Sequence, residues 1–250
     1  MRYRDQAACR RDRPDRMMSA PVVETHRLAK TYGLAPVLRE VDLKLLPGAG
    51  AFVIGGNGAG KSTLLRILAG LEAPSGGHAL VFGQDTRKLA ARYRRRIGMM
   101  AHQSFLYPNL TARENLEFYG ELYSIADPQA SADQWLGRVG LAGVADARVR
   151  AFSRGMEQRL SAARAMLAEP ALLLVDEPFA SLDHDGAEII AGLISGAIER
   201  GSSVIATAHA IPEIEGIEFA AYEISRGLLR EHAHKEEVRR GGRLRSLLGR

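Results

Sequence analysis

A glycine-rich stretch in the first quarter of the chain constrains the fold more than any other feature. Residues 55–63 read Gly-Gly-Asn-Gly-Ala-Gly-Lys-Ser-Thr, which fits the pattern GxxxxGK[ST]. The stretch follows the apolar run 51–54, which predicts a strand, and it opens a segment with helical periodicity. Glycines let the backbone curl so that successive N–H groups point at an anion in front of the helix. We therefore predict a phosphate-binding loop between a buried strand and a helix.

The residue types in this loop indicate a nucleotide bound with Mg²⁺. Lys61 can reach the β- and γ-phosphates, and the hydroxyl of Ser62 can ligate the metal. The alternative is a glycine-rich turn without a ligand, and it is disfavoured because the strand and the helix that the motif requires are both predicted. The candidate phosphate-binding residues are Gly55, Asn57, Gly58, Ala59, Gly60, Lys61, Ser62 and Thr63.

Two adjacent carboxylates follow a second buried strand. The run 171–175 is apolar, and Asp176 and Glu177 come directly after it. The carboxyl ends of parallel strands are where ligands collect. Asp176 is suited to hold Mg²⁺, and Glu177 to orient or deprotonate the water that attacks a phosphoryl group. A water-activating Glu177 favours hydrolysis over a small-molecule kinase, which must exclude water from its site.

Composition and charge exclude several classes of protein. With 46% hydrophobic and 25% charged residues, the 250-residue chain fits a globular domain rather than a disordered, collagen-like or coiled-coil protein. No apolar run approaches the roughly 20 residues that span a bilayer, so we do not expect an integral membrane protein. The net charge of +5 comes from the two ends, because residues 21–225 carry 20 basic and 23 acidic side chains. We therefore expect no nucleic-acid partner.

The periodicity along the chain predicts one α/β domain with a largely parallel sheet. Helical signals between the first two buried strands predict an inserted helical subdomain at about residues 104–164, with a capping box at Thr111 and Glu114. The alternation at residues 22–46 predicts an antiparallel edge piece. The expected divisions are a disordered basic arm at 1–20, a single domain at 21–225 and a basic tail at 226–250.

Together these features resemble the ATP-binding cassette (ABC) family of transport ATPases, over nearly all of residues 22–225. Four further motifs stand in the family's order: Gln103 at the Q-loop, Phe152-Ser153-Arg154-Gly155-Met156 at the signature motif, Ser181-Leu182-Asp183 at the D-loop and His209 at the switch histidine. The resemblance implies a P-loop NTPase core of the RecA type, with an N-terminal antiparallel β subdomain and an inserted helical subdomain. It also implies ATP hydrolysis, with ATP and Mg²⁺ as cofactors.

The resemblance further implies that two copies sandwich two ATP molecules. Ser153 and Gly155 of one subunit would then face the γ-phosphate held by the other, and Asp183 would help to organise the interface. Within one subunit, Gln103 would contact Mg²⁺ and the attacking water, and His209 would hydrogen-bond the γ-phosphate. Tyr32, at the family's A-loop position, would stack on adenine through its aromatic face.

The chain departs from the family pattern at three positions. Gly56 stands where proline is common, and Arg154 and Met156 replace a glycine and a glutamine of the familiar signature. Contacts made by those two signature side chains elsewhere therefore do not carry over. Because Ser153 and Gly155 are present, the γ-phosphate contact is still expected.

The resemblance also implies partners and a location. We expect an integral membrane permease, docked at residues 105–110, and a second ATP-binding subunit that makes a homodimer. The chain would then lie peripherally at the cytoplasmic face of the inner membrane. Within the family, three stretches look most like the corresponding parts of the ATP-binding subunit of the haem exporter of cytochrome c biogenesis: residues 102–107, 116–119 and 153–156. Exporters of drugs, lipids or polysaccharides remain open alternatives. A soluble cassette ATPase acting on nucleic acid or ribosomes, and a regulatory module that does not hydrolyse ATP, are disfavoured.

Overall fold

The computed structural model describes residues 20–180, 182–210 and 219–232. In these residues the strands are β1 (Val23–Tyr32), β2 (Ala35–Leu45), β3 (Gly50–Ile54), β4 (Gly76–Val81), β5 (Gln84–Asp85), β6 (Ile97–Met100), β7 (Leu172–Val175), β8 (Ser203–Ala208), β9 (Phe219–Ser225) and β10 (Leu228–Glu231). The helices are α1 (Lys61–Leu68), α2 (Ala91–Arg94), α3 (Ala112–Leu122), α4 (Pro128–Arg138), α5 (Arg154–Met166) and α6 (His184–Glu199).

The predicted buried strands form the centre of a six-stranded sheet with the order β10-β9-β3-β8-β7-β6. Pairing is parallel from β9 through β6, and only β10 joins antiparallel. All four residues of β7 are buried, and so are the first four of β3. Near-continuous apolar runs are typical of parallel strands covered on both faces. The prediction of an α/β fold with a largely parallel sheet is confirmed.

A second, antiparallel sheet is formed mainly by the first part of the chain. Its strand order is β2-β1-β4-β5, and β1 pairs with both β2 and β4. The buried face of α1, including Leu64 and Leu68, shares one hydrophobic cluster with residues of both sheets. The predicted antiparallel β piece is therefore present, and it packs against the helix that follows the glycine-rich loop.

Between β6 and β7 the chain forms α3, α4 and α5, which pack on one another around Leu116, Trp135 and Leu160. The first of these helices begins at the predicted capping box. The hydroxyl of Thr111 accepts from the backbone N–H of Glu114, and the Glu114 carboxylate accepts from the backbone N–H of Thr111. Two otherwise unpaired N–H groups are thereby satisfied at the start of α3.

The C-terminal side of the sheet runs past the boundary predicted at residue 225. Arg226 and Gly227 both have positive φ angles, 51° and 79°, and form the two-residue turn between β9 and β10. Such turns match the twist of antiparallel strands. The predicted tail therefore starts inside the sheet, and its residues 233–250, like residues 1–19 of the predicted arm, lie outside the described residues.

No helix within the described ranges is both long and apolar enough to cross a membrane.

The capping box generates a stability prediction. Thr111→Ala removes the oxygen that accepts from Glu114, so the free energy of unfolding should fall by about 1 kcal/mol. Thr111→Ser keeps the oxygen and serves as the matched control. Urea unfolding followed by circular dichroism measures both variants, and equal stability of the two would contradict a capping role.

Candidate functional site

Four of the predicted motifs follow four neighbouring parallel strands, at the edge where those strands end. The glycine-rich loop follows β3, Gln103 follows β6, Asp176 follows β7 and His209 follows β8. Because β3, β8, β7 and β6 are adjacent and parallel, their carboxyl ends lie along one edge of the sheet. Motifs separated by more than a hundred residues in sequence are therefore neighbours in space.

The loop at residues 55–60 has a backbone that favours glycine. Gly58 and Gly60 have φ angles of 72° and 108°, a region that other residues rarely adopt. Gly55 lies so close to the backbone oxygen of Ile224 in β9 that a Cβ there would overlap it. No side chain caps α1, so the backbone N–H groups in its first turn remain available to an anion.

Lys61 lies under the loop with only 5% of its side chain exposed. Its ammonium group donates to the carbonyl oxygens of Gly55, at 2.7 Å, and Gly56, at 3.2 Å. The carboxylate of Glu177 is 3.3 Å from the same nitrogen. A buried ammonium needs such partners because it has lost its water. Lys61 therefore joins the glycine-rich loop directly to the carboxylate pair.

Glu177 is the point at which three of the predicted motifs meet. The Oε1 atom of its carboxylate is 3.3 Å from Lys61 Nζ and 3.2 Å from His209 Nε2. Its backbone has a φ of 50°, which is unusual for a residue with a side chain. The Gln158 side chain, on α5, donates to the carbonyl oxygen of Pro178 at 2.8 Å. These contacts place a carboxylate beside the glycine-rich loop.

Asp176 is buried, with 7% exposure, and its carboxylate makes no ion pair with a basic side chain in the described part of the chain. Its Oδ1 atom accepts a 2.6 Å hydrogen bond from the hydroxyl of Thr207. A buried carboxylate with one oxygen still able to coordinate, together with the hydroxyl of Ser62 in α1, provides the hard oxygen ligands that Mg²⁺ prefers. The residues present therefore fit a magnesium–nucleotide site.

Tyr32 lies at the end of β1 with 47% of its surface exposed. Lys30 is 4.9 Å from its ring centre, and the carboxylate of Glu72 is 3.0 Å from the ammonium of Lys30. Burial and the carboxylate of Glu72 raise the pKa of the Tyr32 hydroxyl, while Thr63 opposes the shift. The Tyr32 hydroxyl therefore lies near Thr63 in the first turn of α1, and part of its ring is accessible.

A cleft of about 330 Å³ lies over the loop and is lined by Val37, residues 56–63 and Glu177. The other predicted site residues do not line it: Tyr32, Gly55, Gln103, Ser153, Gly155, Asp176, Asp183 and His209. Ser153 instead caps α5 by accepting from the N–H of Met156, and Asp183 caps α6 by accepting from the N–H of Gly186. Ser181 of the predicted D-loop lies outside the described residues.

Gln103 is exposed in the loop after β6, and its side chain makes no hydrogen bond to the residues that the structure describes. The loop beyond it is held firmly. The backbone oxygen of Ser104 accepts from Arg164, and that of Phe105 accepts from the Tyr119 hydroxyl. Burial lowers the pKa of Arg164, whose charge lies over the rings of Phe105 and Tyr119. The Gln103 loop is thus anchored to α3 and α5.

Sequence reasoning missed three residues of this region. Thr207 bridges the carboxylate pair, Val37 lines the cleft and Gln158 holds the chain after Glu177. The available signal for Thr207 was a polar residue near the end of the mainly apolar run of β8, two residues before His209. Val37 and Gln158 carry no comparable signal, because nothing local distinguishes them from other residues of a strand or a helix.

Two glycines of the loop allow a matched test. A Cβ on Gly60 would lie 2.7 Å from the Leu38 side chain at a φ of 108°, whereas a Cβ on Gly56 would meet nothing within 4 Å. We expect Gly60→Ala to lower both the melting temperature and nucleotide affinity, and Gly56→Ala to leave both near their original values. Calorimetry and titration with a fluorescent ATP analogue measure them. Equal behaviour of the variants would contradict this loop geometry.

Comparison with known proteins agrees with this arrangement. The ABC transporter family model matches residues 38–180. The linearmycin resistance ATP-binding protein LnrL of Bacillus subtilis (strain 168) is 32% identical over 196 residues, which are 78% of this chain and 63% of that protein. The cytochrome c biogenesis ATP-binding export protein CcmA of Sodalis glossinidius is 35% identical over 184 residues, 74% of this chain and 87% of that protein. The chain spans slightly under two thirds of the length of the first such relatives.

Solved structures of ATP-binding cassettes are also similar to this chain. The ATP-binding cassette MJ0796, in a dimeric post-hydrolysis state bound to ADP and Pi, superposes with a TM-score of 0.78. Its identity to this chain is 27%, and the match covers 86% of this chain and all of that one. The family match covers more than half of the 250 residues and includes the glycine-rich loop and the carboxylate pair. The chain belongs to the ABC transporter family, in the part of it that forms the ATP-binding cassette.

Proposed function

We propose that the chain is the ATP-hydrolysing, nucleotide-binding subunit of a membrane exporter. The observation that carries this proposal is the position of Glu177, whose carboxylate lies 3.3 Å from Lys61 of the phosphate-binding loop and directly follows Asp176. A binding module without turnover has no need of a carboxylate there. The ADP and Pi bound to the similar cassette MJ0796 support the same reaction class.

In the proposed reaction the triphosphate lies in the cleft over residues 56–63. The backbone N–H groups and Lys61 bind the phosphate oxygens, and Tyr32 stacks on the base. The contacts that Lys61 makes with Gly55, Gly56 and Glu177 then give way to phosphate oxygens. This exchange frees the Glu177 carboxylate beside the γ-phosphate.

Glu177 then acts as the general base. It accepts a proton from a water molecule, the water oxygen forms a bond to the γ-phosphorus, and the bond from that phosphorus to the bridging oxygen breaks, giving ADP and phosphate. His209, 3.2 Å from the same carboxylate, donates to the γ-phosphate as charge develops. Bound Mg²⁺ would neutralise charge on the phosphate oxygens, and Ser62, Asp176 and Gln103 are the side chains that we assign to it.

We further propose that two copies pair to complete the site. In the described residues, the side chains of Ser153 and Asp183 hydrogen-bond only to the first turns of α5 and α6, not to the glycine-rich loop. Ser153 and Gly155 lie at the start of α5, where the helix dipole and free N–H groups favour an anion. In a homodimer they would approach the γ-phosphate held by the other copy. The dimeric state of MJ0796 supports this arrangement.

For the membrane partner we propose a permease docked on a surface formed by Phe105, Tyr107, Phe118 and Leu122, which we call the aromatic patch. All four side chains are at least one third exposed, and Tyr107 and Phe118 contact each other edge to face at 5.0 Å. The patch includes part of the predicted docking segment 105–110, although Leu106 turns inward and packs on the core. Docking there would hold the chain peripherally at the cytoplasmic face of the inner membrane.

Haem export for cytochrome c biogenesis is our specific proposal for the cargo. It is supported by the similarity to CcmA, of which this chain covers 87%. The similarities to LnrL and to Nod factor export proteins favour the alternative of another small-molecule exporter, of drugs, lipids or polysaccharides. In either case we place cargo selection in the permease, because the cassette supplies ATP hydrolysis rather than a cargo site.

The role of Glu177 as the general base can be tested by substitution. Glu177→Gln keeps the shape of the side chain but cannot accept the proton, so ATP binding should persist while turnover falls by about a hundredfold or more. Gel filtration with ATP should then reveal an accumulated dimer. As a control, Lys61→Ala should lose nucleotide affinity itself. If the Glu177→Gln variant hydrolyses ATP at an undiminished rate, Glu177 is not the general base.

The docking surface allows a test with a matched control. Leu122, in the aromatic patch, is 56% exposed, and Leu34, at the turn between β1 and β2, is fully exposed. Leu122→Asp should abolish co-purification of an integral membrane subunit from detergent-solubilised membranes, and Leu34→Asp should not, because only the first adds charge to the docking surface. Mass spectrometry of that subunit would identify the class of exporter. Equal retention by the two variants would overturn the docking site.

A further inference from the structure

Thr207 occupies an unusual place in the sheet. It lies in β8 with no exposed surface, between β3 and β7 and two residues before His209. Its hydroxyl makes two hydrogen bonds to consecutive residues of the carboxylate pair. It donates to Oδ1 of Asp176 at 2.6 Å and accepts from the backbone N–H of Glu177 at 3.0 Å.

We propose that Thr207 is a positioning residue for both carboxylates of the site, acting on the metal affinity through Asp176 and on turnover through Glu177. This inference rests on the proposed function and deepens it. A hydroxyl that donates in one direction and accepts in the other can fix two groups at once. No other described side chain makes a hydrogen bond to the Asp176 carboxylate.

The contact with Asp176 determines which oxygen can reach a metal. With Oδ1 held by the Thr207 hydroxyl, the rotation of the carboxylate is set and Oδ2 is left for coordination. Partners that orient a metal ligand in this way commonly change metal affinity or activity by about 10- to 100-fold when they are removed. The contact is buried, so water does not readily replace it.

The contact with Glu177 acts on the backbone rather than on the side chain. Glu177 has a φ of 50°, a conformation that costs energy for a residue with a Cβ and persists only when its surroundings hold it. The hydrogen bond from its N–H to Thr207 and the bonds from Gln158 to the carbonyl oxygens of Glu177 and Pro178 provide that support. The side chain is thereby directed at Lys61 and His209.

The end of β8 and the residue after it thus contact both carboxylates. His209 contacts the Glu177 carboxylate directly, and Thr207 sets the backbone and the neighbouring carboxylate. Because Thr207 lies near the end of β8 and His209 directly follows that strand, a displacement of β8 relative to β7 would change the surroundings of the metal ligand and the general base together. This coupling depends on the hydroxyl of Thr207 and not on its methyl group.

The experiment compares Thr207→Val with Thr207→Ser. Valine has nearly the same shape but no hydroxyl, and serine keeps the hydroxyl and loses the methyl group. The matched control is Thr25→Val, because Thr25 is also buried and its hydroxyl likewise donates to one group, the Val41 carbonyl, and accepts from one backbone N–H, that of Leu43. Thr25 lies in the antiparallel sheet, away from the carboxylates.

Two measurements are made on the full chain. The first is Mn²⁺ binding in the presence of a non-hydrolysable ATP analogue, followed by loss of the free Mn²⁺ electron paramagnetic resonance signal. The second is steady-state hydrolysis, separated into kcat and the KM for ATP. We expect Thr207→Val to weaken Mn²⁺ binding and to lower kcat, each by about 10- to 100-fold. Nucleotide affinity in excess EDTA should stay within about twofold, because the phosphate-binding loop is unchanged.

The controls separate positioning from stability. Thr207→Ser should regain most of the lost Mn²⁺ affinity and kcat, and Thr25→Val should lower the melting temperature without changing either. If Thr207→Val does not fold, Thr207→Ala removes the same hydroxyl and takes its place in the comparison with serine. Unchanged Mn²⁺ affinity in the folded variant without a hydroxyl, or a loss in Thr207→Ser equal to that of the valine variant, would overturn the inference. A wild-type chain that binds Mn²⁺ with the analogue but does not hydrolyse ATP would overturn the proposed function alone.

Discussion

The parallel pairing of β3, β8 and β7 is the constraint on which the site depends. Each of these strands is buried, and each ends at the same edge of the sheet, where the chain turns into a loop or helix. The register aligns Ile54 with Ala208 and Val175 with Ala206. A slip of one residue between strands would turn every side chain to the opposite face of the sheet. The apolar packing of the strands therefore determines the positions of the polar groups beyond them.

At that edge, the carboxylate of Glu177 lies between two basic side chains. Glu177 contacts both Lys61 and His209, while the second acid, Asp176, is held by a neutral hydroxyl instead of a cation. The two adjacent acids thus have different partners, which suits the different roles that we propose for them. The ammonium group of Lys61 also donates hydrogen bonds to the carbonyl oxygens of Gly55 and Gly56. These bonds offset the loss of hydration, so the buried charge has partners.

The sequence predicted the features that depend on local patterns. The apolar runs, the glycine-rich loop and the capping box at Thr111 each have a short-range cause, and the structure contains all of them. Features that arise from partners distant in sequence were not predictable. The hydroxyl of Thr207 is significant only because β8 lies beside β7, and Val37 reaches the cleft only because β2 passes the loop. The turn at Arg226 and Gly227 was missed because the basic residues from 226 onward were interpreted as a tail, whereas β10 forms a strand through its pairing with β9.

The position of β3 at the centre of the sheet has a consequence for the way the protein is made. Its two neighbours, β8 and β9, come from the last fifth of the chain, and Gly48, just before β3, donates to the hydroxyl of a serine 155 positions later. Contacts between such distant residues form slowly, because a long loop must close first. While the chain emerges from the ribosome, the glycine-rich loop is thus synthesised long before the strands that flank it. We expect the nascent chain to gain its affinity for nucleotide only after β8 and β9 have been synthesised and have paired with β3.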